Sequence, residues 1–150
     1  TDVTSIVVEN LDLNAHKAYM ILFHVRNPTG YPVTYRLYIN GDITIGRYYW
    51  QYIQGSGSQV SAGRVNDPTF HEALAASASS SMFGIMQRLV AGYVNLLALN
   101  SHNVGSGIIY RPRVWQYYYS ISNVTKIEVS ADRANGINAG SHLQIFKVSK

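Results

Sequence analysis

Three sets of side chains in this sequence could do chemistry: five histidines, eight acids, and two aromatic runs flanked by arginine. A metal or acid–base site needs some of these at a spacing that brings them together. His16, His24, His71, His102 and His142 are scattered, and none forms the i, i+4 pair or the alternating strand pair that commonly builds a zinc site. Isolated histidines in strands read as ordinary sheet residues. Asp12, Asp42, Asp67 and Asp132 all sit beside turn signals, where an aspartate caps its own backbone. The chain has no cysteine, which excludes disulfides, thiolate metal sites and a cysteine nucleophile. No G-x-S-x-G elbow, phosphate loop or dinucleotide fingerprint occurs. The expectation is a protein without catalytic residues, metal or cofactor.

The aromatic runs are the better candidates for a contact surface. "RYYWQY" (47–52) and "RPRVWQYYY" (111–119) each set a tryptophan among tyrosines and arginines. Side chains alternate along a strand, so Tyr48, Trp50 and Tyr52 share one face of the first run, and Trp115, Tyr117 and Tyr119 share one face of the second. One set can fill a core while the other stays outside, or both sets can be core or a cross-strand ladder. Exposed Tyr, Trp and Arg anchor protein interfaces, and the same rings stack on sugars. Arg111 and Arg113 complete the candidate contact residues.

The elements that must position these runs are strands. Short runs rich in Val, Ile and Tyr alternate with turn chemistry along the 150 residues. "HKAYMILFHVR" is apolar on both faces and reads as a central strand, whereas "VTYRLYING" alternates as a half-buried one. Asn40-Gly41 is a tight-turn signal before the next strand, "ITIGRYYWQYIQ". "GSGSQVSAGRVNDPTF" reads as a long surface loop, and "HEALAASASSS" as a loop or one short helical turn. "SMFGIMQRLVAGYVNLLALNSHN" fits helical spacing as well, but Gly84 and Gly92 favour a hairpin turning at Ala91-Gly92-Tyr93. Three further strands follow, with Pro112 marking an edge or a bulge. Eight or nine such strands predict a single all-β domain over residues 1–150, an antiparallel β-sandwich of jelly-roll type. "NGINAGSHLQIFKVSK" then reads as the turn that lays the last strand into the sheet, with Gly140 as the residue whose loss would cost folding.

Composition narrows the partners. Charged residues make up 13% of the chain, about half the usual share, so much of the surface is expected to be hidden against neighbours. The net charge of +4 is spread out, and no basic run resembles a nucleic-acid arm. No apolar stretch approaches the ~20 residues of a spanning helix. The opening "TDVTSIVVEN" lacks the layout of a signal peptide and looks like a chain trimmed of its initiator methionine, which predicts synthesis in a cytoplasm. "NVT" at 123–125 then matches the glycosylation pattern by chance.

The order of "VTYRLYINGD", "YYWQY", "FGIMQRLVAGYVNLLAL" and "VTKIEVSADRANGINAGSHLQIFKV" resembles that of small β-sandwich structural proteins in virions of tailed bacterial viruses and their relatives. The resemblance spans most of the chain and departs most around Met86 to Val90. It implies a capsid decoration, tail or baseplate component, assembled in the host cytoplasm as a homo-oligomer with other virion proteins. A carbohydrate-binding module for a host-surface glycan, stacking sugars on Trp50 or Trp115, is the alternative.

Overall fold

The computed structural model describes residues 1–56, 58–104 and 107–149, with only the backbone at 72–73, 103–104 and 107–108. Among them are eleven strands in two antiparallel sheets, one 3-10 turn at Ile45–Arg47 and no α-helix. The strands are β1 (Ser5–Val8), β2 (Ala18–Arg26), β3 (Val33–Ile39), β4 (Tyr48–Ser56), β5 (Gln59–Val65), β6 (Thr69–Leu74), β7 (Ser79–Arg88), β8 (Val94–Val104), β9 (Gly107–Tyr117), β10 (Ile127–Ala131) and β11 (His142–Val148). The small sheet runs β1-β10-β3-β6 and the large one β11-β2-β7-β8-β9-β4-β5.

The pairing is nested. β4 pairs with β5, β3 with β6, β2 with β7 and β1 with β10, each pair lying outside the last in sequence. A long antiparallel ribbon rolled up about the β4–β5 hairpin gives this arrangement, which is the jelly roll. Three strands exceed its basic eight. β8 and β9 extend β7 into a meander, so that β9 rather than β7 meets β4, and β11 is added outside β2.

Alternation decides what is buried. Tyr19, Ile21, Phe23 and Val25 of β2 and Val33, Tyr35, Leu37 and Ile39 of β3 all point between the sheets and are closed to solvent. The segment with helical spacing is the β7–β8 hairpin, and Leu89 and Tyr93 exchange a backbone bond across its turn. Its outward residues are apolar as well as its inward ones, and this produced the helix-like pattern.

Several local readings are corrected. Residues 59–65 form strand β5 rather than a loop, because β4 offers them a full pairing partner, and residues 69–74 form β6. Gly57, within the expected loop, lies outside the described residues. Asn40 and Gly41 do adopt positive φ, but the turn carries the chain from one sheet to the other instead of closing a hairpin. The Asn40 carboxamide oxygen accepts from the amides of Thr125 and Lys126 and pins this crossover to the start of β10. Residues 132–141 are likewise a crossover, since β10 and β11 lie in different sheets; Ile137 seals the core and bridges to Val3. Pro112 lies in a central strand. Without an N–H it leaves the β4–β9 ladder interrupted between Tyr52↔Arg113 and Gly55↔Tyr110, and pairing resumes in the same register.

Candidate functional site: the two faces of the large sheet

The register settles where the predicted contact residues go. Tyr48 stands opposite Tyr117, Trp50 opposite Trp115 and Tyr52 opposite Arg113, all on the inner face. Tyr48, Trp50, Trp115, Tyr117, Arg111 and Arg113 are buried and Tyr52 is half-buried, so both aromatic sets line the core. Of the two readings left open, this is the one in which both sets are core: β4 and β9 are neighbours, and pairing brings their like faces together. Neither tryptophan is open for stacking on a sugar. Of the eight, Tyr119 alone lies on the surface, with the Arg47 guanidinium 3.8 Å from its ring centre.

The arginines close one end of the interior. Arg113 donates to the Phe70 carbonyl at 2.5 Å and lies over Trp50; Arg111 donates to Gln54 and lies over Tyr52. Nearby, His71 and Ser80 are hydrogen-bonded at 2.6 Å, and Ser80 donates to the Ser101 carbonyl. At the other end Tyr117 and Arg47 donate to the Asp42 carboxylate at 2.5 and 2.7 Å, and Tyr48 donates to the Asp42 carbonyl. Burial alone would raise the Asp42 carboxyl, but the hydrogen bonds from Tyr117, Thr44 and Arg47 outweigh it and hold the group well below the usual carboxylate range. The Tyr117 phenol is pushed up to about 12, by burial first and then by Asp42. With its oxygens already engaged, this carboxylate ties the β3–β4 crossover to β9. Asp12 and Asp67 also cap their turns, and Asp67 accepts the Trp50 indole N–H at 2.9 Å. Asp132 differs, accepting the Thr34 amide across the sheet. Among the described residues no three His, Asp or Glu gather as a metal site.

The outer face of the large sheet is the surface with an unusual composition. Successive residues in register across it are Phe146, Met20, Ile85, Leu97, Val114, Gln51 and Arg64. The next row runs Gln144, Leu22, Phe83, Leu99 and Pro112, with Ile53 beyond. Leu97 is 58% exposed, Ile53 57% and Val114 45%, values far from those of a core. Beyond the apolar rows lie polar ones: Gln87, Asn95, Gln116 and Tyr49 at one end, and His142, His24, Ser81, Ser101 and Tyr110 at the other. Among the described outward side chains of these strands none is acidic, and the only cations are Arg26 and Arg64 at the margins. Sequence reasoning missed this face. Its signal was present in "FGIM" and "VNLLALN", which are apolar in both parities.

No known protein family matches the chain, and no curated protein does.

Proposed function

We propose that this is a non-enzymatic structural protein that assembles with copies of itself, as a decoration, tail or baseplate component of a virion. The observation that carries the reading is the outer face of the large sheet: two apolar rows crossing its strands, bordered by polar rows, with charge confined to the margin. A contiguous apolar patch with a polar rim is the mark of an interaction site, and depletion of charge is the mark of an interface centre. The face is broad as well: seven strands at ~4.8 Å make it about 30 Å wide.

The virion assignment draws on the motif order resembling small virion β-sandwiches and on the jelly roll, a frequent fold of viral capsid domains. Fold alone does not fix a role, and lectins use the same one. Negative-stain electron microscopy of the purified protein tests the reading. Rings, shells or filaments of uniform repeat are expected; a field of single 16.7 kDa particles at all concentrations would refute self-assembly.

A further inference from the structure

The apolar rows of the outer face end, on the β4–β5 side, in a trough. Its larger part, about 560 Å³, has Ile53, Ala62, Leu97, Pro112 and Val114 as its apolar lining. A smaller part of about 160 Å³ adjoins it, with Tyr49, Gln116, Gln51 and Arg64 around it. Gln51, Arg64 and Val114 line both, so the two parts adjoin along this row. The cause is local. Pro112 interrupts the β4–β9 ladder beside Ile53, and the β4–β5 hairpin forms the far wall.

The polar end gathers groups that are not consumed by the fold. Arg64 is 5.5 Å from the centre of the Tyr49 ring, and among the described residues no carboxylate pairs with it. Gln116 donates to Asn95 at 2.7 Å, which leaves its own carbonyl oxygen and the Asn95 amide hydrogens. Among the described residues no hydrogen bond engages the Gln51 carboxamide. Tyr118 stands beside Tyr49, edge-on to it, and is stacked on Tyr93.

From this geometry we infer that the trough is a binding site for an acidic saccharide, a sugar unit bearing a carboxylate. The Arg64 fork matches a carboxylate, the Gln51 and Gln116 carboxamides pair with hydroxyls as donors and acceptors, and the apolar floor accepts the C–H face of the ring. A fatty acid would use Arg64 and the floor but leave the carboxamides idle. A neutral sugar would leave Arg64 idle. The site differs from the tryptophan platform expected from sequence, and one chain builds all of it, but it shares Leu97, Pro112 and Val114 with the face assigned to self-contact, so a sugar and a second copy compete for these residues.

Calorimetric and saturation-transfer NMR titrations test it with N-acetylneuraminic acid, glucuronic acid, glucose and octanoate. Saturable binding of at least one acidic sugar in the millimolar range is expected, with glucose at least about tenfold weaker, a difference of about 1.4 kcal/mol. Arg64→Gln is expected to lower affinity by about tenfold, and Gln51→Ala by severalfold. Arg133→Gln serves as control, because Arg133 lies over Tyr31 in a similar cation–ring pair away from the trough, and it is expected to change nothing. Far-ultraviolet circular dichroism verifies that each variant is folded. The inference is overturned by no saturable binding of either acidic sugar, by octanoate binding as tightly as the sugar acids, or by Arg133→Gln weakening binding as much as Arg64→Gln.

Discussion

Trp50 and Trp115 stand directly opposite each other on β4 and β9, both on the inner face of the large sheet and both closed to solvent. Both indoles are therefore expected to fluoresce at short wavelength and to resist acrylamide quenching, with or without any sugar. Trp115→Ala is expected to cost about 3–5 kcal/mol, read from the urea midpoint, because it opens a large cavity between the sheets. A solvent-quenched tryptophan in the folded protein would contradict the burial of the pair.

Asp42 supplies the clearest pH dependence. Its carboxyl titrates below the ordinary value of 3.8 when folded, so its contribution is complete above that value and is lost as pH falls through the folded one. Acid unfolding is expected to show this loss. Asp42→Ala leaves Tyr117 and Arg47 without their acceptor and is expected to cost about 2–3 kcal/mol at pH 7, with a flatter acid limb in urea unfolding measured against pH.

Two glycines of one crossover are expected to behave differently. A methyl group at Gly136 would stand 2.7 Å from the Ala131 Cβ and 3.0 Å from the Arg133 carbonyl oxygen. The Gly136 carbonyl also accepts from the buried Tyr35 hydroxyl at 2.9 Å, which holds the backbone in place. Gly136→Ala is expected to lose about 1–3 kcal/mol, whereas Gly140→Ala, whose nearest contact would be 3.4 Å away, stays within about 0.5 kcal/mol. Thermal unfolding of the two variants side by side checks this. The sequence-based choice of Gly140 is thereby replaced by Gly136, since spacing alone cannot show which glycine meets another strand.

Strand type and sandwich class were legible because alternation in β3 and the turn chemistry at Asn40 and Gly92 report local geometry directly. Pairing was not. β5 lies in a Gly- and Ser-rich stretch and is mostly exposed, so only its hydrogen bonds to β4 mark it as a strand. Which aromatic face lies inside was not legible for a related reason. Alternation correctly divided Tyr48, Trp50 and Tyr52 from Tyr49, Gln51 and Ile53, but nothing in a single strand says which half faces the core. That depends on β4 lying beside β9, whose Trp115 and Tyr117 share the interior.

The self-contact assigned to the outer face is tested most directly by sedimentation equilibrium of the native chain beside Ile85→Glu, a change at a position 41% exposed that adds a charge at the centre of the face. The native chain is expected to sediment as a defined oligomer, and the folded variant as a 16.7 kDa monomer. A native monomer at every concentration, or an oligomer that Ile85→Glu leaves intact, would contradict it.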